Sequence, residues 1–239
     1  MLLFYIRHGD PIYNPDQLTP LGHRQAEAIG KRLALFGVDK IYSSTSNRAI
    51  QTATPACELM KKELTKLDFM NEAHPWQSLT YISSNGKRGW IPDNAEPLEI
   101  ITSPEIKQYG ERWYEHPSFK DYGYEKYLKE TDKNIDELIA SHGYVHDRAR
   151  RVYTAENPTD ERIAIFAHAG FGSVFFSSLL DIPYNEFSIH YDLSHSSMTV
   201  IEFRERGGVY IPKILTFSSD GHLYKEGLPT AYNNSKIRF

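Results

Sequence analysis

Three consecutive side chains could do chemistry at one point. Arg7, His8 and Gly9 close an apolar opening run, Met1-Leu2-Leu3-Phe4-Tyr5-Ile6. A strand ending this way delivers a charge clamp, an imidazole and a residue free to turn sharply to a single position. A second apolar run ends in Ala167-His168-Ala169-Gly170. An imidazole that is neutral on one nitrogen can attack phosphorus, and a guanidinium fork matches phosphoryl oxygens. The two strand ends together imply a site that handles phosphoryl groups.

The elements that must carry these groups follow from periodicity. Leu2 to Ile6 reads as a short buried strand rich in β-favouring residues. Thr19 to Phe36 reads as a helix, with Thr19 as N-cap, Pro20 in its first turn, apolar Ala26, Ile29, Leu33 and Phe36 at helical spacing, and Gly37 as its stop. Asp39 to Ser43 predicts a strand, Thr45 to about Glu63 a helix containing Pro55, and Leu64 to Met70 a weaker strand. Tyr124 to Ser141 and Val145 to Ala155 are expected to be helical, Arg162 to Ala167 a strand and Gly170 to Leu180 a helix. Met198 to Phe203 and Val209 to Phe217 predict a final pair of strands joined through Gly207-Gly208. This alternation argues for an α/β fold, a mostly parallel sheet with helices on both faces, and active sites of such sheets lie beyond strand carboxyl ends. His8 and His168 both fall there. Residues 73–123 break the pattern with repeated prolines and aromatics, and are expected to form a cap-like insertion within a single domain spanning 1–239.

Composition narrows the function classes. The 239 residues are 40% hydrophobic and 24% charged, as in ordinary globular proteins. A net charge of −4 argues against nucleic-acid binding through a basic surface. No apolar run approaches the roughly 20 residues needed to cross a bilayer, so no membrane partner is expected. The lone Cys57 fits a reducing compartment, and the early Arg7 interrupts any signal peptide, so a cytoplasmic location is expected.

Four ordered segments then resemble a known family. Arg7-His8-Gly9 is followed by Asn14 and Leu18-Thr19-Pro20-Leu21-Gly22-His23-Arg24-Gln25-Ala26. Ile41-Tyr42-Ser43-Ser44 precedes Asn47-Arg48-Ala49-Ile50-Gln51-Thr52-Ala53; Ala167-His168-Ala169-Gly170 and His195-Ser196-Ser197-Met198-Thr199-Val200 complete the series. The pattern resembles the histidine phosphatase superfamily, the phosphoglycerate-mutase-like clan. The resemblance implies a three-layer sandwich and a phosphomonoesterase acting on a small phosphorylated substrate without cofactor or metal. It implies that His8 becomes a phosphohistidine, that Arg7, Arg48 and His168 hold the phosphoryl group, with Asn14 adding a hydrogen bond, and that Glu72 protonates the leaving group. Asp10, two residues from the nucleophile, is the rival acid. Phosphoglycerate mutase chemistry is the alternative, weakened because only Pro15-Asp16-Gln17 separates Asn14 from Leu18. A phospho-ligand sensor is the non-enzymatic alternative, opposed by the intact Arg7, His8, Arg48 and His168.

Other features admit plainer readings. His142 and His146 stand four apart but lack a third metal ligand at known spacing. Arg148, Arg150 and Arg151 form either a solvated helix face or a contact for a charged substrate tail. His195 either lines the pocket or marks a strand entry. Cys57 reads as packing, and Trp76, Trp90 and Trp113 as the core of the insertion or the lining of a cleft. Asn233-Asn234-Ser235 matches a glycosylation sequon without other secretory features.

Overall fold

Strand β1 (Leu2–Arg7) sends Leu3 and Tyr5 to one face and Phe4 and Ile6 to the other, and all four side chains are buried. A strand apolar on both faces has to be covered on both, and this requirement sets the layering of the molecule. The computed structural model describes residues 1–230; the Asn233-Asn234-Ser235 sequon lies outside them.

After β1 come a small hairpin, β2 (Pro11–Tyr13) and β3 (Asp16–Leu18), then α1 (Pro20–Phe36), β4 (Lys40–Ser43), α2 (Asn47–Met60) and β5 (Leu64–Lys66). The segment that follows holds α3 (Ala73–Ser78), a hairpin of β6 (Thr80–Ile82) and β7 (Arg88–Trp90), and α4 (Ala95–Ile101) among single 3-10 turns. The chain continues through α5 (Tyr124–Ala140), β8 (Val145–Asp147), β9 (Val152–Thr154), β10 (Arg162–Ala167), α6 (Ala169–Leu180) and α7 (Tyr184–Phe187). It ends with β11 (Met198–Arg206), β12 (Val209–Ser219) and α8 (Gly221–Lys225).

Eight strands form the central sheet in the order β5-β4-β10-β1-β11-β12-β9-β8. The run from β5 to β1 is parallel and the run from β1 to β8 antiparallel, so the sheet is mixed, with the expected parallel arrangement confined to one half. Ile29 and Leu33 of α1 and Ala53 and Ala56 of α2 cover Phe4, Ile6, Ala164 and Phe166 on one face. On the other, Ile135 and Ile139 of α5 and Phe171, Phe175 and Phe176 of α6 cover Leu3, Tyr5, Ile163 and Ile165. The result is a three-layer α/β sandwich.

Two local expectations change. Val145 to Ala155 is not helical but forms the β8–β9 hairpin, which pairs with β12. Its Val, Tyr and Thr residues favour extended backbone, His146 stacks on Tyr153 at 4.1 Å, and Arg151 takes a left-handed turn (φ 55°). Helix α2 begins at Asn47 rather than Thr45, because Asp16 of the distant hairpin accepts the Asn47 N–H at 2.7 Å. Residues 73–123 build a cluster around Trp113 that is continuous with Tyr124 of α5, Val174 of α6 and Tyr184 of α7.

The turn that follows β1 is pressed against α1. A Cβ on Gly22 would stand 2.2 Å from the Asp10 carbonyl oxygen, backbone against backbone. Gly22→Ala should therefore cost about 2 kcal/mol or more, despite alanine's better helix propensity. Urea melts measure this; an unchanged midpoint would show that the two segments can separate at no cost.

Candidate active site

Parallel pairing of β1 with β10 sets Arg7 opposite Ala167, so the residues following each strand emerge side by side. The His8 N–H donates to the Ala167 carbonyl (2.9 Å) and the His8 carbonyl accepts from Ser196 N–H (2.9 Å), which ties the end of β1 to β10 and to the segment before β11. Imidazole rings of His8 and His168 lie 5.2 Å apart, and those of His8 and His195 5.5 Å. His8 Nδ1 meets the Gly9 carbonyl at 2.7 Å. A carbonyl only accepts, so Nδ1 carries the proton and Nε2 keeps its lone pair. Burial, then the fields of His168, Arg7 and Arg48, push the His8 imidazole well below its ordinary value and keep it neutral.

Gly9 reaches this turn through close backbone approach: a Cβ would lie 2.8 Å from the Gly22 carbonyl oxygen. Its N–H donates to Thr52 Oγ1 at 3.0 Å, while Thr52 donates to the Arg48 carbonyl at 2.7 Å. Gln25 Oε1 accepts the Asp10 N–H at 2.7 Å. The Thr52 contacts join the turn after β1 to α2, and Gln25 joins it to α1.

Arg48, in the first turn of α2, is nine-tenths buried. Its Nη1 donates to Asp16 Oδ1 at 2.7 Å, its Nη2 to His168 Nδ1 at 3.1 Å, and its Cζ lies 5.4 Å from the centre of the Tyr13 ring. Because arginine only donates, His168 Nδ1 is the acceptor, and Nε2–H faces Ser44 Oγ at 2.8 Å. His168 is thus neutral here. Burial and then Arg48 and Arg7 hold it well below its ordinary value.

Arg7 donates to the Leu193 carbonyl and, at 2.8 Å, to His195 Nε2. Burial, followed by the Arg7 and Arg48 charges, pushes the His195 ring down to about 3. Arg7 and Glu72 face a cavity of about 510 Å³, which Tyr13, Trp90, Asp93, Ser188 and Asp192 also line. His8, Arg48 and His168 are not among its lining residues and are nearly closed to solvent. Glu72 Oε1 and Oε2 accept the N–H groups of Gly170 (2.9 Å) and Phe171 (2.8 Å) at the start of α6. Burial outweighs these bonds and pushes the Glu72 carboxyl above its ordinary value, so it holds a proton more readily than a solvated glutamate. Gly170 permits the approach: a Cβ there would lie 2.6 Å from the Trp90 ring and 2.9 Å from Glu72 Oε1.

Of the residues singled out by sequence, Arg7, His8, Arg48, His168 and Glu72 come together. Asn14 does not: it is exposed at the tip of the β2–β3 hairpin, outside the cavity lining, where Tyr13 stands instead. Asp10 Oδ2 accepts from Thr19 Oγ1 at 2.7 Å, whereas Glu72 lines the cavity together with Arg7. His195 meets Arg7 and stands beside His8 but is not among the cavity-lining residues. His142 bonds Glu161 (2.7 Å) and Tyr42 (3.1 Å), while His146 sits between Asp136 and Asp181 at 2.9 Å from each. Arg148 joins the latter network through Asp136 at 2.7 Å and is no helix-face residue. Asp16 escaped the sequence reading; its position between Pro15 and Gln17 carries no signal, since its role depends on the hairpin folding onto α2.

The chain matches the family model of the histidine phosphatase superfamily (branch 1) over residues 3–145, more than half of its length, and it belongs to that superfamily. No curated protein matches it. Among solved structures it is similar to a mycobacterial glucosyl-3-phosphoglycerate phosphatase complexed with VO3, at 16% identity and a TM-score of 0.58, over 92% of this chain and 99% of that one. It is also similar to a phosphoserine phosphatase from Entamoeba histolytica in complex with 3-phosphoglyceric acid, at 18% identity and a TM-score of 0.58, over 93% and 98% of the two chains. At these identities the likeness is one of fold. Among the described residues, no helix is long and apolar enough to cross a membrane.

Two outcomes follow from the site's electrostatics. Asp16→Asn frees Arg48 from its orienting partner and should weaken orthophosphate binding about tenfold in calorimetry; tighter binding would make Asp16 a competitor of the anion instead. His8 and His168 take up protons near 6.5 when unfolded, but only at lower pH when folded. The unfolded chain then holds more protons within that window, so their contribution to stability is complete above 6.5 and lost as pH falls below it. Urea midpoints should drop between about pH 7.5 and about pH 5.5, and less so in His168→Asn. An equal drop in both proteins would remove His168 from this account.

Proposed function

We propose that the protein is a phosphomonoesterase that acts without a metal ion, through a phosphohistidine formed on His8. The observation that carries this reading is the Nδ1–H to Gly9 carbonyl contact, which leaves a neutral Nε2 lone pair in a buried site beside two guanidiniums. His8 Nε2 attacks phosphorus and forms the P–N bond as the ester P–O bond breaks. Glu72 gives its proton to the departing alkoxide. Water then attacks the phosphohistidine, Glu72 recovers a proton from it, and the P–N bond breaks to release orthophosphate and neutral His8. Arg7 and Arg48 take the charge of the transferring group, which is the main demand of phosphoryl transfer. Residues 73–123 act as a cap over the site, contributing Trp90 and Asp93 to the cavity wall.

A cavity of about 510 Å³ suits a small phosphorylated molecule. Mutase chemistry on a glycerate is less well served, because the outer wall presents Asp93 and Asp192 to a substrate that is itself a carboxylate.

His8→Ala should abolish hydrolysis of p-nitrophenyl phosphate, measured in EDTA; a variant at the wild-type rate removes His8 as nucleophile, and loss of wild-type rate in EDTA alone removes the metal-free route. Glu72→Gln should slow an alkyl phosphate by about 10²–10⁴-fold while scarcely affecting p-nitrophenyl phosphate, whose leaving group needs no proton. In the wild type, kcat on the alkyl ester should fall as pH rises through the raised Glu72 value. Equal losses on both esters would take Glu72 out of the acid role.

A further inference from the structure

A phosphoryl group entering the cavity meets Arg7 but not His8. The nucleophile, Arg48 and His168 are between 0% and 9% exposed, and none of them lines the cavity. Something has to move before phosphorus can reach His8 Nε2, and Tyr13 is placed to be that group. It ends strand β2, is two-thirds exposed, and lines the cavity beside Arg7. Its ring lies against the Arg48 guanidinium, with Cζ 5.4 Å from the ring centre. Its hydroxyl accepts from Arg7, on which, among the neighbouring side chains, only the Asp192 charge acts more strongly. One exposed phenol therefore spans the two cations that the phosphoryl group has to engage.

The hairpin beneath it is fastened down. The Leu18 N–H donates to Gln51 Oε1 at 2.7 Å, and Asp16 holds both the Asn47 N–H and Arg48. Movement thus belongs to the Tyr13 side chain, and exposed side chains change rotamer within nanoseconds. A cation–π contact at an exposed site favours the closed position by about twofold to fivefold, enough to shield the site and little enough for an arriving anion to overcome.

We infer that Tyr13 is a gate on the phosphoryl site, a positioning residue that rests on Arg7 and Arg48, shields His8, and swings outward to admit the anion. This rests on the phosphomonoesterase reading and adds how a substrate reaches that site.

Two measurements on the full chain share one expected factor. Tyr13→Ala should bind orthophosphate about fivefold more tightly in calorimetry, because apparent affinity scales with the open fraction of the site. Diethyl pyrocarbonate acylates an imidazole nitrogen that carries no proton. It should modify His8 about fivefold faster in the same variant, read by peptide mass against exposed His23. Tyr13→Trp, whose ring holds a cation more strongly, should move both readings the other way. Unchanged or weaker orthophosphate binding in Tyr13→Ala overturns the inference, and so does an unchanged His8 rate. Should Tyr13→Ala not fold, Tyr13→Trp decides: weaker binding with slower modification upholds the gate, and any other result overturns it. Absence of p-nitrophenyl phosphate hydrolysis in the wild type would defeat the phosphatase reading separately, and both measurements, which need no turnover, would still decide the gate.

Discussion

Two guanidinium-to-imidazole hydrogen bonds make this site possible. Arg7 donates to His195 Nε2 and Arg48 to His168 Nδ1. Each bond needs a ring nitrogen without a proton, so each guanidinium holds its imidazole neutral. Five basic groups packed together would otherwise repel one another in a poorly solvated space. With the rings neutral, the cluster carries two full charges rather than five, and the Asp16 carboxylate lies against one of them. The same bonds fix the directions of the guanidinium forks, and orientation is worth as much here as charge. His8 is governed by the same field: its own proton is held on Nδ1 by Gly9, and the neighbouring cations oppose a second one.

Such a cluster survives only if its surroundings are rigid, and the rigidity comes from backbone contact more than from side-chain bulk. The turn after β1 lies against the first turn of α1 with no room for a Cβ at Gly22 or Gly9. Thr52 and Gln25 then satisfy the backbone N–H groups of Gly9 and Asp10 that such a turn leaves unpaired. Asp16 performs two tasks with one carboxylate, satisfying the Asn47 N–H at the start of α2 and orienting Arg48 one residue later. The placement of a charged fork is thereby coupled to the closing of a helix end, and both depend on a three-residue strand returning along the hairpin.

Much of this was legible in the sequence because local chemistry and global position coincide. An apolar run ending in Arg7-His8-Gly9 is buried on both faces and must end at the sheet's edge, so the chemistry has one place to go. Thr19 reads as an N-cap and is one, accepting the Gly22 N–H at 3.0 Å. The misreadings occur where the deciding partner is remote. Val145 to Ala155 has apolar spacing compatible with a helix, but pairing with β12 and stacking of His146 on Tyr153 select strands. Asn14 belongs to the right motif, yet the hairpin turns it outward and brings Tyr13 over Arg48 instead. The protonation state of His168 depends on which atom Arg48 offers it, which no spacing rule encodes. The parallel half of the sheet was visible from strand–helix alternation, and β11 and β12 of the antiparallel half from their own pattern; β8 and β9, three residues each, leave little periodic trace.

The division of labour between the two parts of the chain follows from the same physics. In the proposed reaction, residues at the ends of β1 and β10 serve the phosphoryl group, whose charge and tetrahedral shape are the same in every monoester, and they sit on paired strands and helix starts. Glu72 stands between the parts. Its position is fixed by Asn71, whose amide donates to Thr45 Oγ1 (2.9 Å) and whose Oδ1 accepts the Ala73 N–H (3.0 Å), while its oxygens reach across to α6. Beyond it, residues 73–123 pack in an aromatic cluster around Trp113 that they share with Tyr124, Val174 and Tyr184, and Trp90 lies against Gly170 beside Glu72. The turn after β1, closed by glycine contacts on α1 and by hydrogen-bonded neutral imidazoles, is the part of the site with the least room to change.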